Sequence, residues 1–199
     1  MHRDIDEEPI RDWADFDAYC EGATVAPAAV FLFVLTARAD ADRLESALDE
    51  AALFDAARPM ALFCYLVHIL RDLAKDAERG GQLVTLPADR LVAHGLTRDG
   101  LAAAVRDGQT GARTLAREIA GRAAPLRAET GRVRVELAPH LGPRARAILG
   151  ALTGVYERLH DRLQAGDPAL DPESARDLKA AVFAEQGLDR WRIDEGEGA

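Results

Sequence analysis

The stretch MALFCYLVHILRDLAKDAERGG, residues 60–81, starts apolar on every side and ends in charge. A helix that faces water on one side carries a single greasy stripe, whereas one that is apolar all round is enclosed by protein. The turns written CYLVHIL are of the second kind. Such a helix needs neighbours around it, and it can leave the core only where Arg71, Asp72, Lys75 and Asp76 begin. Strand patterns are scarce elsewhere, while apolar residues recur at helical spacing. The expected fold is therefore all-α.

The remaining punctuation fits that class. RDWADFDAYC reads as a short acidic helix, and Pro27 suits the first turn of a helix through AAVFLFVLTA. RADADR is a polar break before the helix LESALDEAALFDAA. Pro59 is expected to open the long helix, and Gly80 with Gly81 to stop it. Pro87 opens a short helix through ADRLVAHG. TRDGLAAAVRDG and ARTLAREIAGRAAPLRAE are helical, with Pro125 breaking or kinking the second, and GRVRVEL is the one short strand expected. PRARAILGALTGVYERLHDRLQAG is a strong amphipathic helix; DPESARDLKAAVFAEQ is another, opened by Asp171 and Pro172. With no repeat and no linker, residues 1–199 form a single helical domain, frayed over 190–199.

Charge and cysteine usage restrict the partners. The chain carries 34 acidic against 25 basic residues, a formal net charge of −9, and shows no basic stripe. That argues against nucleic acid, whose phosphates demand one. Cys20 and Cys64 both lie in apolar sequence, so reduced, buried thiols and a cytoplasmic location are expected. The acidic start MHRDIDEEPI is unlike a signal peptide. The longest uncharged run, residues 22–37, has 16 residues and a proline, too short to span a bilayer, so a buried helix is expected there.

Asp72 and Asp76 stand four apart, which places both on one helix face. The spacing alone is weak, because about two such pairs arise by chance in a chain like this. Asp167 and Asp171 are the look-alike, set among Pro168 and Pro172 in a loop. In the bland reading, Asp72 meets Lys75 and Asp76 meets Arg79 on a solvated helix end. In the other reading, acids ring the mouth of an apolar cavity, as a prenyl diphosphate would need. The tail wants oil, and the diphosphate wants Mg²⁺, which accepts one or two carboxylates alongside phosphate oxygens. Arg71 and Arg79 would then hold the diphosphate directly.

HILRDLAKDAERG, followed closely by LPADRL, resembles the second aspartate-rich motif of the squalene/phytoene synthases, the head-to-head prenyltransferases. YCEGATVAPAAVF is similar to that family's tyrosine-cysteine helix, and ILGALTGVYERLHDRL suits its late helix with a single tyrosine. The resemblance implies an isoprenoid-synthase-type helical bundle in which Asp72 and Asp76 bind Mg²⁺ and Arg71 contacts diphosphate. It also implies that Tyr19 lines the cavity as a catalytic residue, stabilising a carbocation or handling a proton. Tyr65 and His68 occupy positions where the family usually carries glutamine and asparagine, and they join Arg79 as candidate substrate-binding residues; as a lone histidine on an apolar helix, His68 is otherwise a satisfied core residue.

The family's first aspartate-rich motif precedes the tyrosine-cysteine helix, and RDIDEE has neither its spacing nor its setting. The resemblance thus implies an N-terminally incomplete bundle, the C-terminal two-thirds of the fold. A homodimer or a partner chain would cover the missing helices, and peripheral membrane contact is a further expectation. The activity implied is Mg²⁺-dependent condensation of two prenyl diphosphates in isoprenoid synthesis. The alternative within the fold is an inactive lipid- or protein-binding assembly factor; outside it, a plain helical protein with surface aspartates.

Overall fold

A computed structural model describes residues 10–40, 43–79, 85–165 and 172–188. Helix α1 (Trp13–Cys20) begins at Asp12, whose carboxylate accepts the Asp15 backbone N–H at 2.9 Å. A π-turn (Glu21–Val25) carries the chain without a break into α2 (Ala26–Thr36), with Pro27 in its first turn as expected. A hairpin follows, β1 (Ala37–Asp40) against β2 (Arg43–Ser46), in antiparallel register with Ala37 opposite Ser46 and Ala39 opposite Leu44. It stands where only a polar break was expected. Its residues lack β-branched alternation, and the Thr36 hydroxyl bonding Ser46 Oγ at 2.8 Å fastens it to the end of α2.

Helix α3 (Glu50–Arg79) is the spine, 30 residues long. It starts at Asp49, whose Oδ1 accepts the Ala52 N–H at 2.8 Å, so Pro59 lies inside the helix and does not open it. An interior proline removes one ladder hydrogen bond; capping at Asp49 and the burial of Leu53 and Ala57 upstream carry the helix through. The two helices expected here are one. Gly80 and Gly81, expected to end it, lie outside the described residues, as do the Asp167–Asp171 pair, the acidic stretch before Pro9 and the tail from 189 onward.

Short helices α4 (Ala88–Ala93) and α5 (Leu101–Arg106) lead to α6 (Thr110–Leu137), then a 3₁₀ turn (Ala138–His140), α7 (Pro143–Gln164) and α8 (Pro172–Glu185). The strand expected at GRVRVEL is helix. Thr130, Val133 and Leu137 are buried at i, i+3 and i+7, while Arg132, Val135 and Glu136 face out, and that spacing belongs to a helix. Pro125 likewise sits within α6 without ending it.

Two apolar clusters meet on α3. Leu53, Ala57 and Met60 pack with Val25, Leu32 and Leu149 around the first half. Phe63, Leu66, Leu70 and Leu73 pack with Phe16, Leu91 and Leu115 around the second. Helix α1 is pinned to α6 by polar contacts as well. Arg122 binds both Asp17 oxygens at 2.6 and 2.7 Å and lies 4.4 Å over the Trp13 ring, whose N–H donates to Glu118. The all-α class holds, with the hairpin as its one small exception among the described residues.

The expectation of a buried helix over residues 22–37 fails. Of α2, only Ala29, Leu32 and Thr36 are buried, and Val30 and Val34 are each 64% exposed. An uncharged run is compatible with a core position but does not create neighbours to cover it.

Candidate functional site

The second half of α3 carries the candidate residues. Tyr65, His68, Asp72 and Asp76 fall at i, i+3, i+7 and i+11, which keeps them on one face, with Arg71 beside them. Arg71 Nη2 donates to Asp72 Oδ2 at 2.7 Å and Nε to Oδ1 at 3.0 Å, a two-pronged grip. The same Nη2 reaches His68 Nδ1 at 2.8 Å. A guanidinium only donates, so Nδ1 must accept, and the imidazole proton sits on Nε2. That nitrogen lies 3.3 Å from Asp72 Oδ2. Burial first, and then the Arg71 charge, hold the His68 pKa below its usual value, consistent with the neutral ring this geometry requires. The Arg71 hydrogen bonds hold the Asp72 carboxyl below the ordinary carboxylate range, so it is ionised.

The two pairings of the bland reading do not form. Asp72 turns to Arg71 and His68, not to Lys75, and its side chain is only 15% exposed. Asp76 is half-buried and makes no side-chain hydrogen bond or ion pair among the described residues, and neither does Arg79. His68 is 42% exposed, with its Nδ1 on Arg71 and its Nε2 turned toward Asp72, so it is not a buried core histidine.

Toward the N-terminus of the helix the same face is filled by aromatic rings. Tyr65 stacks on Phe16 at 5.9 Å and on His68 at 6.5 Å, and its hydroxyl bonds Thr85 Oγ1 at 2.7 Å. Burial pushes its pKa up, with Tyr19 close enough to add to the effect. Tyr19 is therefore a neighbour of Tyr65, two turns away from Asp72 along α3.

A cavity of about 710 Å³ opens on the other flank of Arg71. Its walls are apolar (Leu70, Val105, Ala116, Val155, Leu159, Leu178), and its charged lining is Arg71, Asp72, Lys75, Arg113 and Lys179. Four cations thus face one carboxylate, which Arg71 already neutralises. Arg113 also donates to the Gly108 carbonyl. The volume is ordinary for a small-molecule site, typically ~300–1,000 Å³. Of the candidate residues, Arg71 and Asp72 line this cavity; Tyr19, Tyr65, His68, Asp76 and Arg79 do not. The site shared by both aspartates and Tyr19 is not formed by this cavity.

Residues that sequence reasoning missed come from distant helices. Arg113 stands on α6, Lys179 on α8, and Tyr156 on α7. Tyr156 lies within electrostatic reach of Arg71, Asp72 and Cys64, and burial raises its pKa. It was visible as the single tyrosine of ILGALTGVYERLHDRL; nothing local marks the other two.

The profile of the squalene/phytoene synthases matches residues 1–181, nearly the whole chain. The chain belongs to the squalene/phytoene synthase family. No curated protein is similar enough in sequence to count as a relative. Family membership makes the all-α fold that of the isoprenoid synthases.

Mg²⁺, which the family implies, is tested by the donor set. Among the described residues no group of three or more His, Cys, Asp or Glu side chains could hold a metal ion. Mg²⁺ does not require one, since it commonly binds one or two carboxylates with substrate phosphates and water. Asp76 is a carboxylate with all its lone pairs available among the described residues, and Asp72 retains acceptor capacity on Oδ1 beyond the single Arg71 Nε–H. Asp72 and Asp76 would each offer carboxylate oxygens to an ion completed by phosphate and water, not a cage made by protein alone.

Proposed function

We propose that this squalene/phytoene synthase family protein binds a prenyl diphosphate, its hydrocarbon tail in the cavity between α3, α6, α7 and α8 and its diphosphate at the charged rim. The observation that carries the reading is the joining of an apolar cavity to Arg71, Lys75, Arg113 and Lys179. Arginine forks and lysine ammonium groups are the usual partners of phosphate oxygens. The membership of the family supports head-to-head condensation of two such substrates as the reaction, within isoprenoid synthesis.

In this reading Arg71 has two roles. It holds Asp72 in place, and its remaining N–H groups reach the phosphate. His68, neutral with its proton on Nε2, steadies the far side of the same carboxylate. Asp76, with Asp72, would hold Mg²⁺; when bound, the ion supplies neutralisation of charge on the departing diphosphate. Tyr65 and Thr85 close the aromatic end of the face and keep water from it. Tyr19 acts through Tyr65 and is a positioning residue for that wall.

A second reading has its own observation. Asp72 is already gripped by Arg71, and an aspartate so neutralised is a weaker metal ligand than a free one. A member of the family that binds a prenyl lipid without turning it over would show this arrangement. Calorimetry with a non-hydrolysable prenyl thiodiphosphate, with and without Mg²⁺, separates the two. Catalytic binding is expected to tighten with Mg²⁺ and to weaken at least roughly tenfold in Asp76→Asn and in Asp72→Asn. Mg²⁺-independent binding that survives both changes, without product from prenyl diphosphates, identifies the non-catalytic protein. No binding in either condition refutes both.

A further inference from the structure

Helix α8 is one wall of the cavity beside Arg71, to which it gives Ala175, Leu178 and Lys179. It is lightly held. Of its described side chains only Val182 is buried, whereas α7 buries seven residues. Its main support is α7. There Val182 lies over Gly154 and the Gln186 side chain over Gly150, so α8 runs antiparallel along α7. A Cβ at Gly154 would stand 3.2 Å from Val182 Cγ1, and one at Gly150 2.3 Å from Gln186 Oε1. The two glycines are what let the helix come this close. Arg158 pairs with Glu185, but both are about half exposed, and such surface pairs add little. An element with so few buried apolar contacts opens at small cost in free energy.

Space lies on both sides of α8. Inside is the apolar cavity of about 710 Å³; outside is a polar groove of about 770 Å³, bounded by Asp177 and Glu185 of α8 and by Arg127 and Glu157. Leu178 borders both, so this one helix is the partition between them. A ligand shifts such a partition only by binding one of its positions better than the other. The seated position has a group that does this. Lys179 brings an ammonium to the rim that already holds Arg71, Lys75 and Arg113, where an anion would gather all four. We propose that α8 is a movable wall. It swings off the α7 glycines into the outer groove to admit a prenyl chain, and the diphosphate draws it shut through Lys179. The ligand in this proposal rests on the cavity reading above; the motion does not.

Hydrogen exchange without ligand reads the motion directly. In the wild-type chain the amides of α8 are expected to exchange roughly a hundredfold faster than those in the middle of α7. Gly154→Cys with Val182→Cys provides a lock, because the 3.2 Å gap from a Cβ at Gly154 to Val182 Cγ1 suits a disulfide between the two positions. Oxidation should slow exchange in α8. It should also slow association of farnesyl thiodiphosphate, a non-hydrolysable probe, by at least roughly tenfold against the same protein reduced. Dithiothreitol should restore both. In the wild-type chain the bound probe should itself protect α8; Lys179→Gln should remove most of that protection, and Lys179→Arg should keep it. Wild-type α8 amides as slow as those of α7 overturn the proposal, as does equal association by the oxidised and reduced forms. Undiminished protection in Lys179→Gln overturns closure through that residue. A reduced protein that binds no probe overturns the cavity reading and the role of Lys179 with it, while the exchange rates still decide whether α8 moves.

Discussion

Arg71 closes on Asp72, its own neighbour in the chain, through Nε and Nη2, and spends the same Nη2 on His68 Nδ1. Side chains one residue apart diverge by about 100° around a helix, so the guanidinium must fold back along the surface to reach. The result is a fixed acid–base–imidazole unit at the edge of the cavity.

Removal of that arginine should therefore affect binding twice over. Arg71→Ala deletes a cation from the rim and releases Asp72 toward the phosphate. A loss of affinity for a prenyl thiodiphosphate of roughly tenfold or more is expected, at least 1.4 kcal/mol. Arg71→Lys should recover little, because an ammonium cannot span both oxygens. Titration calorimetry on the two variants measures the difference.

The unit also gives stability a pH dependence of defined sign. His68 has a folded pKa below its usual 6.5, so the unfolded chain takes up its proton first as pH falls. Stability from this group is present above about pH 6.5 and is lost as pH drops toward the folded value. Asp72, also lowered, contributes above its usual 3.8 and loses that contribution only at more acid pH. Melting temperature should begin to decline below neutrality, and His68→Gln should flatten that first part of the decline. In Arg71→Ala, nuclear magnetic resonance titration should find the His68 pKa higher, since the repelling guanidinium is gone.

Both thiols should be unreactive in the folded protein. Burial pushes the Cys20 and Cys64 pKa values up to about 12, with acidic neighbours adding to the effect. Almost no thiolate exists at pH 8, and thiolate is the reacting form. Ellman's reagent should titrate no thiol in native protein and both in denaturant.

The spine of the fold can be probed away from the site. Leu66 is fully buried in the second half of α3. Leu66→Ala should cost about 2–5 kcal/mol in chemical denaturation, whereas Val92→Ala, at a position 75% exposed, should cost little.

Much of α3 could be read from its letters because helical phase is a local property. Spacing alone placed Tyr65, His68, Asp72 and Asp76 on one side. What spacing could not supply was the choice each side chain made among neighbours. Lys75 stands three residues from Asp72, a usual helical pairing distance, yet the adjacent Arg71 took the carboxylate. The cavity was illegible for a different reason: its rim is assembled from Arg113 and Lys179, whose nearness to Lys75 exists only after α6 and α8 have packed. GRVRVEL misled because its valines alternate, while the helical phase is set by Thr130, just before that window, together with Val133 and Leu137. The hairpin escaped notice because ARAD and RLES carry almost no strand-forming residues.

The π-turn at Glu21–Val25 has a consequence for how the chain tolerates change. A turn of that kind holds about one residue more than an α-turn, and one residue corresponds to a rotation of ~100°. It works as an indexing joint, setting the angle between the side of α1 that carries Phe16 toward Tyr65 and the side of α2 that shows Val30 and Val34. Substitutions there should pass easily where size allows, as at Gly22, around which a Cβ meets nothing within 4 Å. Deleting even the exposed Gly22 would remove little packing and still misdirect an entire helix. At this joint the chain is constrained in its count, far more than in its composition.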